Sequence, residues 1–396
     1  YSNTTGYNSV AVGRKAVYST STGLNNVAVG WNALTANTTG GSNVAVGLQA
    51  LTSNTTGSEH TAVGYHSLYN TTTTTANTGI GYQAGYNITT GENNTVVGKA
   101  AMYNTTTGVA NTAVGKDALV ANTTGSYNVA VGLGALDTST TASNNTAVGF
   151  AALYDNTTGH SNAALGDSAL QNNTTGSYNT AVGKQALDSA TTALNNTVIG
   201  FQAGQGITTG GYNVAVGSET MMSTMTGTDN AACGYGAMQV TTTGSHNTAM
   251  GNRALFDNTT GSSNTAVGRT ALGDNTTGDA NTAVGRLAME HNTTGSSNVA
   301  VGYRSQAENG TGTGNVSVGR DTLRYNTADY NTAMGYQALY ANTSGASNVA
   351  VGDLAGGGVT TGANNTFLGT NAGNNVTAGT DNILIGLNPS TAQVDS

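Results

Sequence analysis

One glycine recurs at an almost constant interval along the chain, and this interval constrains the fold more than any other feature. It closes a V-A-V-G or T-A-V-G element and occurs 23 times, first at Gly13 and last at Gly386. The interval from Gly13 to Gly30 is kept throughout, except that the one from Gly319 to Gly335 is a single residue shorter. A fixed period of this kind is typical of stacked repeats, in which each unit covers the apolar side of its neighbours. One unit reads N-[T/V]-A-V-G-x-x-A-L-x-x-N-T-T-G-S-x.

The length and composition of this unit predict strands and turns. Seventeen residues are too few for two helices joined by a turn, and Asn, Thr and Gly disfavour helix interiors. The sequence therefore predicts an all-β fold, a parallel β-solenoid (β-roll) of about 23 coils that forms a homo-oligomeric rod. We expect residues 1–388 to form a single continuous array and residues 389–396 to lead out of it. The shortened interval should be absorbed in the turn at 326–330.

The alternation of residues along the first strand of each coil predicts which side chains lie inside. The residue before the glycine is always apolar, which indicates an interior position, and the leucine four residues after the glycine lies in a second strand that completes a thin core. Alanine, which separates the apolar positions, would then point outward and form a seam between identical chains. A monomer with a weakly apolar side is the alternative. The predicted interior residues include Val12, Val46, Ile80, Leu165, Cys233, Met250 and Ile385, and the predicted seam contains Ala28, Ala113, Ala266 and Ala283.

Asparagine is the second recurrent residue. It precedes the first strand in 21 of the 23 coils, with Ser9 and His60 as the exceptions. Stacked asparagines can hydrogen-bond from coil to coil, so a structural ladder is predicted. A second asparagine opens the N-T-T-G turn and forms an N-x-T sequon. The sequons predict either a structural turn or, in a glycosylating organism, a column of glycans on Asn37, Asn54, Asn122, Asn156, Asn258, Asn275 and Asn292.

The charged, histidine and cysteine residues indicate no catalytic or metal site. Eleven Lys and Arg residues are scattered in a chain of net charge −8, which argues against a nucleic-acid partner. No apolar run is long enough to span a membrane. The five histidines occupy different repeat positions and are interpreted as surface substitutions, and Cys233 as a buried thiol. Calcium-binding G-G-x-G-x-D repeats and catalytic motifs are not found, so no enzyme activity and no cofactor are predicted.

The elements N-S-V-A-V-G (residues 8–13) and N-V-A-V-G (residues 26–30) resemble the N-S-V-A-I-G motif of trimeric autotransporter adhesin heads (YadA-like). The whole unit is similar to repeats of phage tail-fibre and bacterial surface proteins. The resemblance covers residues 1–388 and implies a β-roll, self-association as a homotrimer or filament, and an extracellular, cell-surface or virion location. The period of the present chain exceeds the roughly 14 residues of adhesin heads.

The sequence is compatible with three functions. The first is the structural shaft of an extracellular fibre, such as a tail fibre, an adhesin or a surface filament. The second is an adhesive surface for carbohydrates or a host receptor, where tyrosine pairs such as Tyr65 and Tyr69 could stack on sugars. The third is ice binding, which favours two outward threonines per strand, whereas the T-T pair here is predicted to lie in a turn.

Overall fold

The computed structural model describes residues 7–388, which divide into two compact units, residues 7–196 and residues 197–388. Both units are stacks of coils, each with one parallel strand of three residues, and no described residue is helical. The predicted all-β parallel solenoid is confirmed. The exit segment predicted for 389–396 lies outside the described residues.

The first unit contains eleven strands, each paired in parallel with the next. They are β1 (Val10–Val12), β2 (Val27–Val29), β3 (Val44–Val46), β4 (Thr61–Val63), β5 (Thr78–Ile80), β6 (Thr95–Val97), β7 (Thr112–Val114), β8 (Val129–Val131), β9 (Thr146–Val148), β10 (Ala163–Leu165) and β11 (Thr180–Val182).

The second unit contains twelve strands with the same parallel pairing. They are β12 (Thr197–Ile199), β13 (Val214–Val216), β14 (Ala231–Cys233), β15 (Thr248–Met250), β16 (Thr265–Val267), β17 (Thr282–Val284), β18 (Val299–Val301), β19 (Val316–Val318), β20 (Thr332–Met334), β21 (Val349–Val351), β22 (Thr366–Leu368) and β23 (Ile383–Ile385).

Equivalent residues of adjacent coils lie directly beside one another. Ala266 pairs with Ala283, a register shift of one full repeat that recurs along each unit. Between β19 and β20 the shift is one residue shorter, because Val316 pairs with Thr332. The missing residue is lost in the turn, where the Asn326 side-chain amide donates to the Ala328 carbonyl at 2.7 Å. The prediction that the turn absorbs the deletion is confirmed.

The second predicted strand is wrong, because the A-L segment of each coil is a turn. In the coil after β16, Thr270 and Leu272 have φ values of 54° and 50°, in the left-handed region. This conformation points the N–H groups of these two residues toward opposite neighbouring coils. Thr270 donates to the Asn252 carbonyl and Leu272 to the Ala288 carbonyl, both at 3.0 Å. These bonds offset the cost of left-handed backbone, about 1–2 kcal/mol per residue, by pairing the polar groups of the turn.

The recurrent glycine is required by the closeness of the coils. Gly268 has a φ of 133°, which L-residues rarely adopt. A Cβ atom at this position would lie 2.6 Å from the carbonyl oxygen of Gly285 in the next coil. The glycines therefore form a column in which each excludes a side chain from its neighbour.

The predicted faces of the strand are wrong, and the inward and outward positions must be exchanged. The central residue is buried in every strand except β1, where Ala11 is exposed. The residues before and after it are half-buried or exposed in all 23 strands. The alanines predicted to form a seam point into the core and are fully buried, namely Ala28, Ala113, Ala266 and Ala283. The residues predicted to be interior point outward instead, namely Val12, Val46, Ile80, Leu165, Cys233, Met250 and Ile385.

The narrowness of the core explains why the inward and outward positions are exchanged. Opposite each strand lie the alanine and leucine of the turn, such as Ala271 and Leu272, both fully buried. With leucine in place, a methyl group fills the remaining space on the strand side. Close packing penalises both a void and an extra methylene, so alanine is the best fit.

Four coils carry a paired substitution in the core. Their turn leucine is replaced by glycine, and the residue three positions later is isoleucine or valine instead of a polar residue or alanine. A Cβ atom on Gly85 would lie 2.9 Å from the Ile88 Cδ1 atom, and one on Gly204 would lie 3.2 Å from the Ile207 Cδ1 atom, so isoleucine occupies the space of the missing leucine in these two coils. Beside Gly356 and Gly373 the ring of Phe367 approaches the glycine instead. The four pairs are Gly85 with Ile88, Gly204 with Ile207, Gly356 with Val359, and Gly373 with Val376.

Candidate functional site

The outward side of the strands runs through the coils of each unit, and we call it the strand face. It consists of two columns, formed by the first and third residues of every strand. The first residue is Thr in 12 strands, Val in eight, Ala in two and Ile in one. The third is apolar in all 23. The face therefore has a mixed column and a wholly apolar column.

The apolar column is open in the single chain. Leu165 is 51% exposed, Met250 is 53% exposed and Ile385 is 65% exposed. Isolated apolar residues on a protein surface are ordinary, but a contiguous apolar strip usually marks an interface. Cys233 belongs to this column and is exposed, so the prediction of a buried thiol is wrong.

The asparagine before each strand forms the predicted ladder, which is confirmed in both units. Asn281 illustrates the pattern. Its backbone N–H donates to the Asn264 Oδ1 atom at 2.9 Å, and its Nδ2 donates to the Gly295 carbonyl at 2.8 Å. Its Oδ1 accepts the backbone N–H of Asn298 at 3.0 Å. Each amide thereby satisfies buried backbone groups of two neighbouring coils.

The asparagines of the N-T-T sequons lie inside the stack, which contradicts an exposed column of glycans. Asn275 donates its Nδ2 hydrogens to the Asn258 Oδ1 atom at 2.8 Å and to the Gly278 carbonyl at 3.0 Å. A glycan would have to replace one of these hydrogens in a space with no room for it. All seven sequon asparagines are fully buried, namely Asn37, Asn54, Asn122, Asn156, Asn258, Asn275 and Asn292.

His60 occupies the position of a ladder asparagine and is fully buried, so its assignment to the surface is wrong. Its Nε2 lies 2.9 Å from the Thr74 carbonyl, and its Nδ1 accepts the Asn77 N–H at 3.2 Å. This arrangement needs the neutral ring with the proton on Nε2. Burial lowers the pKa of His60, against weaker opposing effects of its hydrogen bonds and of Glu59.

His291 lies in a more open environment among carboxylates. Its Nδ1 is 2.6 Å from the Asp274 Oδ2 atom, and its Nε2 is 3.9 Å from a carboxylate oxygen of both Glu290 and Glu308. The hydrogen bond with Asp274 is the main cause that raises the pKa of His291. Residues 7–388 contain no group of three or more His, Cys, Asp or Glu side chains arranged to hold a metal ion.

Two tyrosine pairs on adjacent coils, Tyr65 with Tyr69 and Tyr82 with Tyr86, stack on each other. The rings of Tyr65 and Tyr82 lie 5.1 Å apart and nearly parallel, and so do those of Tyr69 and Tyr86. Each ring face inside such a stack is covered by the next ring. Sugar stacking needs an open ring face, so this geometry favours coverage of the coil surface over carbohydrate stacking.

Five arginines lie on five consecutive coils of the second unit, in the first or second position after the recurrent glycine. We call them the arginine stripe, and they follow β15 to β19 in order. The prediction that the basic residues are scattered missed this grouping, although the regular spacing is visible in the sequence. The stripe consists of Arg253, Arg269, Arg286, Arg304 and Arg320.

No described residue belongs to a helix long and apolar enough to cross a membrane. A scan against protein-family models found no match, and a search of curated proteins likewise found none. Function is therefore inferred from the strand face, the arginine stripe and the resemblance of the repeat.

Proposed function

We propose that this chain is a non-catalytic structural shaft of an extracellular fibre, built by lateral association of identical chains through the strand face. The observation that carries the proposal is the apolar column, in which all 23 third-position residues of the strands are apolar and none is buried. A residue with no structural role on a solvated surface would vary freely between polar and apolar types. The constancy of this column supports a partner that covers it.

A further copy of this chain is the partner that fits best. The column repeats once per coil, and stacked strands are about 4.8 Å apart. A covering surface must carry matching apolar groups at the same spacing over many coils. Another strand face meets this condition without any further adaptation. Covering a half-exposed valine contributes on the order of 1 kcal/mol, and the contributions accumulate along the column. The resemblance to adhesin heads favours three chains.

A non-catalytic role is supported by the regularity of the coils. The interval between recurrent glycines never exceeds the length of one repeat, so no coil carries an inserted loop that could build a cleft. Catalytic sites usually use such loops on a rigid scaffold. The extracellular setting rests on the resemblance to adhesin heads and tail-fibre repeats.

The ice-binding alternative receives less support from the strand face. Its two outward positions are spaced i and i+2, but the third residue is apolar in every strand, so no strand presents two threonines. A thermal-hysteresis assay of the purified protein distinguishes the two functions directly.

The proposal is tested by placing charges on the apolar column of three adjacent coils. We expect Val267→Glu, Val284→Glu and Val301→Glu together to lower the oligomer mass in light scattering, with the β-sheet circular dichroism retained. The matched control replaces three exposed threonines of neighbouring coils, Thr260, Thr277 and Thr294, with glutamate and should keep the parent mass. A monomeric parent, or a valine variant of unchanged mass, would overturn the proposal.

A further inference from the structure

The guanidinium groups of the arginine stripe are spaced one coil apart, and few of them form an ion pair with a carboxylate. All six basic residues of the second unit are arginines that lie between residues 253 and 324. Arg320 pairs with Asp321 at 3.1 Å, but Arg253, Arg269, Arg286 and Arg304 form no ion pair with any residue in 7–388. In a chain of net charge −8, four unpaired guanidinium groups on successive coils form a distinct basic surface.

Aromatic rings hold several of these guanidinium groups in place. Tyr303 lies at the centre, with the guanidinium carbons of Arg286, Arg304 and Arg320 at 5.7, 5.1 and 5.7 Å from the ring centroid. Arg253 lies over Phe256 at 4.8 Å in the same way. Contact with a ring orients the guanidinium plane and leaves its N–H edges free for an anion. A positioned arginine also loses less conformational entropy when it binds a ligand.

We propose that the arginine stripe binds a linear polysaccharide that carries sulfate or carboxylate groups. The five arginines are spaced one coil apart, so the stripe extends for about 19 Å with one positive charge every 4.8 Å or so. An extended polysaccharide presents its anions at intervals of about one sugar ring. Guanidinium groups bind the planar or tetrahedral oxyanions of such chains through paired hydrogen bonds. This inference goes beyond the proposed shaft and does not depend on self-association.

The same geometry is less suited to nucleic acids. Phosphates of a duplex strand repeat about every 3.4 Å along the helix axis, which does not match the coil spacing. Proteins that bind single strands use open aromatic faces on which bases stack. Three guanidinium groups surround Tyr303, so its ring is already occupied.

The test measures binding of fluorescent heparin oligosaccharides by anisotropy at low and at physiological salt. We expect the triple variant Arg269→Asn, Arg286→Asn and Arg304→Asn to bind roughly tenfold to a hundredfold more weakly. The salt dependence should also fall by roughly one unit of slope for each arginine removed. Asparagine already occurs at these two positions of the repeat, at Asn252 and Asn32, so the coils should still fold.

The matched control removes three positive charges from the same side of the repeat in the first unit. Lys99, Lys116 and Lys184 each follow the recurrent glycine directly, and their replacement by asparagine changes the net charge equally. Heparin binding should survive in this variant. Equal weakening in both triple variants would show that only net charge matters and would overturn the proposal.

Further binding and protection experiments identify the chemical class of the ligand. Binding of a carboxylate-only polymer such as polygalacturonate, compared with heparin, separates carboxylate from sulfate recognition. Equal or tighter binding of oligo-dT or of anionic vesicles would overturn the assignment to polysaccharides. In the unaltered protein, heparin should protect Arg269 and Arg286 from phenylglyoxal while leaving Arg14, an exposed arginine of the first unit, reactive. Equal protection of all three arginines would also contradict the proposal.

Discussion

The inward and outward sides of one three-residue strand follow different rules, although only one peptide bond separates neighbouring residues. In β16, Ala266 points inward and is fully buried, while Thr265 and Val267 point outward and are half-buried. The larger apolar residue lies outside and the smaller one inside. In a core one residue wide, the available volume selects the side chain, whereas hydrophobicity alone does not.

A charge placed first on the inward and then on the outward side of one strand should give the largest difference in stability. We expect Ala266→Asp to unfold several coils, because an unpaired carboxylate in the core costs several kcal/mol. The same change one residue earlier, Thr265→Asp, should cost less than about 1 kcal/mol at an outward position. Thermal unfolding followed by circular dichroism measures both. Equal melting of the two variants would contradict the assignment of faces.

The second prediction transplants the glycine–isoleucine pair into an ordinary coil. Leu136→Gly should cost about 2–5 kcal/mol through the cavity that it leaves. Adding Ser139→Ile should recover much of this loss, because Ile88 and Ile207 occupy the space beside Gly85 and Gly204. Ser139 is a suitable site, since its hydroxyl has no hydrogen-bond partner among residues 7–388.

Chemical denaturation of the parent, both single variants and the double variant gives the coupling free energy between positions 136 and 139. We expect a favourable coupling of about 1–3 kcal/mol. Ser139→Ile alone should destabilise the coil by overpacking. Purely additive effects would show that the two positions do not share one volume.

The smallest expected effects distinguish a buried from an exposed histidine by the sign of their pH dependence. The pKa of His60 is lowered by burial, so the unfolded chain binds the proton more readily. The stability that neutral His60 contributes is present above the unfolded pKa of about 6.5 and declines as the pH falls below it. For His291 the folded pKa is raised, so its contribution is present below about 6.5 and is lost as the pH rises through the folded pKa.

Melting temperatures between about pH 8 and pH 5 measure both effects. His60→Asn should remove the loss of stability at acid pH and restore a ladder amide. His291→Asn should act in the opposite direction and more weakly, since 47% of the His291 side chain is exposed. The same pH slope in both variants would contradict these environments.

The sequence was sufficient for the period, the parallel stacking, the asparagine ladder and the place of the deletion, because each depends on spacing alone. It was not sufficient for the faces, because both sides of a T-A-V strand are weakly apolar and alternation cannot rank them. The sequence nevertheless contains one signal of the core packing. Glycine at position 85 together with isoleucine at position 88 indicates that these two residues share a buried volume.

The predictions for the sequon asparagines and for the basic residues differ from the structure for a related reason. The pattern of Asn, Thr and Gly predicts exposed turns for the sequons, yet Asn275 turns its amide inward and donates to the Gly278 carbonyl. Only the neighbouring coil reveals this, since the Asn258 amide completes the arrangement. The arginine stripe likewise becomes apparent only when residues one repeat apart are placed side by side.

The constant register shift has an evolutionary consequence. Because Ala266 meets Ala283 as Ala249 meets Ala266, removal or duplication of the segment 264–280 would join two surfaces that already match. Slippage between the repeated stretches of the gene could therefore change the number of coils without creating a new packing problem. Length becomes a trait that selection can adjust in steps of one coil, while substitutions on the outward positions adjust what the surface contacts.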